Sequence, residues 1–419
     1  MKLRLSVMMF LQYAIWGAWL PLFWAFITEH CGRDPQTAGY LFSVGAIGAL
    51  VGPFLAGQFA DRRFPTEKVL GISHLIGAAL VWQFSNFKEF SSTAIFACVG
   101  LYSLIYAPTL ALTNSLAFHH LTDRDREFGK VRVWGTIGWI AAGIGMGQWL
   151  FRTHSHGAAD AAIRLDRVAG MADAFKVSAV LGIAQGLFSL FGLPHTPPQK
   201  GTQAFAPAEA LQAILRNRRL TTLFLLAFPV ACVHQFYFVH TESFLGHLKI
   251  QSDFINNVFG VGGGPMTIGQ ISEILVLASI PFLTKSFTRK TFLTLGLVAY
   301  TARFALFAFV PNPDVVVPTL ALHGLCFGFV LFVAFMIVDE ETPTDVRASA
   351  QNLFNFVIVG LGTIVGNLFA SEVAARCKLA DGSTDFERLF SIPMEVVAAC
   401  LLLLLLLYPG GRKEPAPAA

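Results

Sequence analysis

The sequence predicts an all-α membrane protein of twelve transmembrane helices arranged as two six-helix halves. Three observations carry that expectation. Hydrophobic residues make up 54% of the 419-residue chain and charged ones only 13%, where a soluble domain carries about 25% charged residues. Apolar runs of roughly 20 residues, the length a helix needs to cross the hydrocarbon layer, recur along the whole chain. A proline-rich polar stretch, residues 194–218, divides those runs into two equal sets.

The runs lie near 4–28, 37–59, 68–86, 92–118, 129–151, 174–193, 219–245, 256–284, 291–311, 315–338, 348–375 and 388–408. The first is too long for a signal-peptide core and lacks a small-residue cleavage site, so it reads as a spanning helix. It carries Gln12 and Trp16, four apart on one face. The second ends in PFLAGQFADRR and the eighth in PFLTKSFTRK, each a Pro-Phe-Leu followed by a basic turn at the same place in its half. The fourth closes on His119 and His120 at a membrane edge.

The fifth run contains VRVWGTIGW (131–139). Spacings of four and three put Arg132, Thr136 and Trp139 on one face, where they could bind a solute. Arg132 could instead snorkel toward headgroups beside Lys130. After the sixth run and the linker, the seventh aligns Gln235, Phe238 and Glu242, with His234 beside them. The eighth holds Gln270 and Glu273 on one face. A carboxylate at membrane depth is costly, which makes it a functional residue by default. Arg303 in the ninth run lies at a similar depth and could pair with Glu273, making the carboxylate structural. The tenth offers His323 and Phe327, four apart, and the eleventh and twelfth complete the second half.

The expected organisation is therefore 1–193 as the first half, 194–218 as a cytoplasmic linker, 219–408 as the second half and 409–419 as a tail. Lys and Arg are richer in the segments on the side of the termini, among them Arg62, Arg63, Arg124, Arg126, Arg216, Arg218, Arg289 and Arg347, so both termini are expected in the cytoplasm. The +4 net charge reflects this bias, so no nucleic-acid partner is expected. Asp339, Glu340 and Glu341 read as an acidic turn that packs helix ends. The six cysteines have no paired metal spacing, and GVGGGP (260–265) lacks the Lys-Ser/Thr of a phosphate cradle. No His-Glu-x-x-His or Ser/His/Asp arrangement supports an enzyme that uses Glu273, His234 or His323 as acid or base, and neither metal nor cofactor is expected.

Two similar six-helix halves joined by a linker resemble the major facilitator transporters, which hold substrate near the midplane. GQFADRR (57–63) resembles the Gly-x-x-x-Asp-Arg loop of that superfamily. Asp61 could there meet Arg62 or Arg63 as a gate, or the segment could be a solvated turn. More narrowly, FLQYAIWGAWLP (10–21), YAPTLALTNSLAF (106–118), VRVWGTIGW, GQISEILVLASIPF (269–282), ARFALFAF (302–309) and VRASAQNLF (346–354) are similar to segments of the nucleoside:proton symporter family. The resemblance implies import of nucleosides with protons by a monomer in a bacterial cytoplasmic membrane. It implies substrate contacts at Arg132, Thr136, Trp139, Gln235, Gln270, Glu273 and Phe327. Two positions depart from the family pattern: Phe238 and Gly328 stand where polar groups can occur, which leaves Glu273 to carry the proton. A major facilitator transporter for another small polar solute, such as a sugar or an aromatic acid, is the competing expectation.

Overall fold

The structure, a computed structural model, describes residues 1–59, 64–122, 124–157, 159–197, 207–250, 252–343 and 346–410. The expected gate residues Asp61 and Arg62 lie outside the described residues. The helices, numbered in chain order, are α1 Lys2–His30, α2 Pro35–Phe59, α3 Thr66–Phe84, α4 Ser92–His120, α5 Arg124–Thr153, α6 Asp160–Phe191, α7 Pro207–Arg216, α8 Arg218–Leu248, α9 Asp253–Phe259, α10 Gly264–Leu283, α11 Arg289–Phe309, α12 Pro313–Glu341, α13 Ser349–Arg376 and α14 Phe386–Leu407. Among the described residues nine of these are long and apolar enough to cross a membrane: α1, α4, α6, α8 and α10–α14. The chain is thus an all-helical, multi-pass membrane protein.

Hydrocarbon offers the backbone no hydrogen-bond partner, so each crossing segment must bond to itself, and long helices follow. Their ends carry local signals. The Ser91 hydroxyl accepts from the Ala94 N–H at the start of α4, the Thr288 hydroxyl from Thr291 at the start of α11, and the Asp385 carboxylate from Arg388 at the start of α14. The eighth predicted run is split in two. Between α9 and α10, Gly260 takes φ +75° and Gly262 φ +63°, backbone that favours glycine. A side chain on Gly260 would also strike the backbone of Gly147, while the Val261 N–H donates to the Gly147 carbonyl at 3.1 Å. GVGGGP is a tight turn seated on α5.

The chain packs as two compact units: residues 1–202 with 238–267, and residues 203–237 with 268–419. In the first unit α1 packs along α5 and α6, α2 against α4, and α3 against α4 and α6. Small residues set the closest approach of α1 and α5. A Cβ on Gly17 would lie 2.7 Å from the Trp139 carbonyl oxygen, and one on Gly138 2.8 Å from the Phe10 carbonyl carbon. An apolar core of Leu5, Met8, Met9, Leu70, Leu112 and Leu116 fills one end of this unit.

In the second unit α11 packs along α14 and α12, and the short helix α7 packs on α13. The acidic turn at the end of α12 does pack helix ends. Glu341 accepts from Asn217 at 2.9 Å and from Arg219 at 2.6 Å, Glu340 accepts from Arg289 Nε at 2.9 Å, and Asp339 lies 3.9 Å from Arg347.

Candidate functional site

Each unit contains a polar cluster that its apolar helices would not otherwise need. In the first, Arg132 is half-buried on α5. Side chains on a helix normally lean toward its N-terminus, which for Arg132 would mean toward Lys130. Its guanidinium instead lies over the Tyr13 ring, 4.1 Å from the centroid. Its Nη1 lies where a Cβ on Gly135 would approach to 2.8 Å. The side chain therefore runs along α5 toward Thr136, away from the basic end, which is the opposite of snorkelling. Thr136 and Trp139 are half-buried beside it, with Trp139 carried at the α1–α5 contact.

Gln12, noted in the sequence only for its spacing to Trp16, organises the interior of this unit. Its Nε2 donates to Thr109 Oγ1 at 2.7 Å, its Oε1 lies 2.8 Å from His74 Nε2, and the Tyr106 hydroxyl donates to its carbonyl. Gln12, His74 and Thr109 are all buried. His74 and Thr109 gave no sequence signal, because a lone polar residue in an apolar helix does not name its partner.

In the second unit the central group is Arg303, wholly buried on α11. Its guanidinium lies over the rings of Tyr237, Phe304 and Tyr300 at 4.5, 4.9 and 5.1 Å, the arrangement in which ring faces attract a cation. Nη1 lies 3.1 Å from His323 Nδ1. Arginine can only donate, so Nδ1 must accept. His323 is then the neutral tautomer with its proton on Nε2, and that nitrogen lies 3.9 Å from Glu273 Oε2. The alternative pairing of Arg303 with Glu273 thus has His323 standing between the two. His323 also stacks on Tyr237, centroids 4.4 Å apart, and on His234 at 5.4 Å, while the Tyr300 hydroxyl lies 2.6 Å from His234 Nδ1.

Helix packing creates this juxtaposition. A Cβ on Gly324 would lie 2.5 Å from the Ser272 carbonyl carbon, and one on Gly269 2.9 Å from His323 Cβ. Backbone touches backbone where α10 and α12 cross, and His323 is set beside Glu273. Gln270, one turn from Glu273, is buried, and its Oε1 has no hydrogen-bond partner among the described residues. Gln235 Nε2 donates to Thr363 Oγ1 at 3.5 Å, a threonine the sequence reading did not single out.

Phe327 is half-buried in a π-helical stretch of α12, Cys326–Phe332; such wide turns recur at functional sites. Gly328 follows it. A Cβ there would lie 2.7 Å from Val276 Cγ1, so any side chain at this position would push on α10. Phe238 is half-buried and belongs to the first unit, with Glu242, whereas Gln235 on the same helix belongs to the second.

Long apolar helices around interior amide, carboxylate, guanidinium and aromatic groups fit a membrane transporter, and the chain has the major facilitator fold. Structures with only the fold in common include a bacterial homologue of the lysosomal transporter Spinster in an inward-facing, unoccupied conformation, TM-score 0.71 at 13% identity over 97% of this chain and 94% of that one. The family model described as Nucleoside H+ symporter matches residues 1–410, and the chain belongs to that family. YegT of Escherichia coli K12 is 32% identical over 376 residues, 87% of this chain and 82% of its own. The nucleoside permease NupG of the same organism is 27% identical over 405 residues, 94% of this chain and 92% of its own. The crystal structure of the nucleoside transporter NupG superposes with TM-score 0.82 at 26% identity, over 98% of this chain and 99% of that one.

Proposed function

We propose that this protein imports nucleosides together with protons across the bacterial cytoplasmic membrane by alternating access. In this reading it acts as a monomer in the lipid bilayer, without cofactor or enzymatic activity. Residues 1–193 and 219–408 are its two six-helix halves, 194–218 and 409–419 are cytoplasmic, and so are both termini. The observation that carries the reading is the set of buried Arg303 and His323 with half-buried Glu273, beside Gln270, in a chain of the nucleoside symporter family. The unpartnered Gln270 Oε1 has an acceptor to offer a donor on the ligand. Arg132, Thr136, Gln235 and Gln270 bond polar edges and hydroxyls of the nucleoside, while Trp139, Phe238 and Phe327 supply ring faces. Arg303 fixes the His323 tautomer and so presents one imidazole N–H to Glu273. The carboxylate is the proton carrier, and His323 Nε2 faces it at 3.9 Å.

The test is uptake of labelled uridine and adenosine into proteoliposomes, with and without an inward proton gradient, in competition with free bases and with ribose. Gradient-driven uptake competed by nucleosides but not by ribose is expected. Uptake competed by sugars or aromatic acids and indifferent to nucleosides would assign the chain another solute.

A further inference from the structure

The first unit contains a buried carboxylate of its own, outside the cluster around Glu273. Glu242, on α8, is 4% exposed. Its Oε2 has no hydrogen-bond partner among the described residues. It lines a pocket of about 200 Å³ formed by the end of α1, the end of α5, the start of α6, the last turns of α8 and the turn at Val261 and Gly262. That volume holds several waters at about 30 Å³ each.

The pocket grades from wet to dry. At its rim Lys249 and Asp160 pair at 2.7 Å, with side chains 65% and 74% exposed. Below them Arg164 pairs with Glu29 at 2.9 Å, and Arg167 Nε donates to Ser155 Oγ at 2.8 Å. Glu242 is at the floor. The charged groups facing it are Glu29 from α1, Asp160, Arg164 and Arg167 from α6, and Lys249 from its own helix; α5 and the Val261 turn contribute only uncharged lining. Arg164 and Lys249 already have carboxylates of their own, and Arg167 is held by a hydroxyl. Glu242 is left with no cation dedicated to it.

A buried carboxylate oxygen without a donor is costly when charged and tolerable when protonated. A metal cation would need several oxygen ligands here, and an anion would meet the carboxylate. The ligand that fits is a proton. We propose that Glu242 is a proton-binding site, separate from Glu273, through which the pH on its side of the membrane acts on transport. Pocket water delivers one proton to Oε2, forming an O–H bond and discharging the carboxylate; the same proton returns to pocket water when the site reopens to alkaline medium. The pocket lies at the ends of α1 and α8 remote from Met1 and Arg218. The assignment of this side as external rests on the orientation and symport reading proposed above.

The site can be tested without transport. A hydrophobic carbodiimide reacts with protonated carboxyls in apolar surroundings, so the purified wild-type chain is treated across the acid-to-alkaline range and the modified peptides are mapped by mass spectrometry. Modification of Glu242 that falls as pH rises is expected. No modification of Glu242 at any pH, or modification that ignores pH, overturns the proposal, whatever the chain transports. In proteoliposomes at fixed internal pH, wild-type uptake should fall more steeply with external alkalinisation than the loss of the gradient acting through Glu273 imposes, while Glu242→Gln should keep only that shallower gradient dependence and Glu242→Asp should keep the steeper one. A Glu242→Gln protein with the wild-type pH profile, or a dependence on sodium in place of protons, also overturns it. Wild-type uptake that is indifferent to nucleosides, with Glu242 still titrating, would retire the substrate reading and leave this site standing.

Discussion

Adding one methyl group at Gly324 should slow transport far more than it destabilises the protein. The Cβ of Gly324→Ala would lie 2.5 Å from the carbonyl carbon and 2.6 Å from the carbonyl oxygen of Ser272, which are backbone atoms and cannot swing aside. Restoring ordinary contact, about 3.5 Å, requires α10 and α12 to part by about 1 Å, and overpacking of this kind costs about 1–3 kcal/mol. Because Glu273 rides on α10 and His323 on α12, their 3.9 Å separation widens to about 5 Å. A misplacement of about 1 Å can cost about 10²-fold in rate. The assay is the initial rate of labelled uridine uptake per folded transporter, with thermal stability in detergent measured in parallel. Gly145→Ala is the matched control: Gly145 is exposed on α5 with nothing within 4 Å of the added Cβ. It should keep the wild-type rate and gain up to about 1 kcal/mol from helix propensity. Wild-type uptake and stability in Gly324→Ala would refute the reasoning that helix contact at this glycine sets the His323–Glu273 geometry.

Trp139→Ala should weaken nucleoside affinity about tenfold while the protein stays folded, from loss of a stacked ring and its buried area; unchanged affinity in a binding titration removes stacking at this position. Glu273→Gln imitates the protonated carboxyl, so counterflow exchange should survive while gradient-driven accumulation is lost, and full gradient-driven uptake would move the coupling proton elsewhere. Gln12→Leu strands the buried His74 Nε2 and removes a donor from Thr109, at a cost of about 1–3 kcal/mol for each group left unsatisfied. His74→Phe in the same chain should recover part of that loss in thermal unfolding, and strict additivity of the two changes would show that the residues do not act as a pair.

The sequence alone determined that this chain is a multi-pass helical membrane protein, because hydrocarbon imposes one length and one backbone solution on every crossing segment. It also singled out Glu273, Gln270 and Arg303, since a charge or amide amid apolar residues is conspicuous wherever the helix goes. Their partners were a different matter. The seven-residue spacing of Gln235 and Glu242 fixes a common direction around α8 but leaves them about 10 Å apart along it, and the structure assigns them to different units. Arg132 was readable as binding or snorkelling until Gly135 and Tyr13 turned its guanidinium inward. The His323 tautomer, and with it the N–H presented to Glu273, depends on Arg303, which is 20 positions away and on another helix. Gly328 read as a missing polar group; in the structure a side chain there would press on the Val276 side chain of α10. Helical periodicity records which way each side chain points from its own axis. Which residues meet is decided by where backbones approach, and in this chain that is set by glycines whose significance appears only when the neighbouring helix is in place.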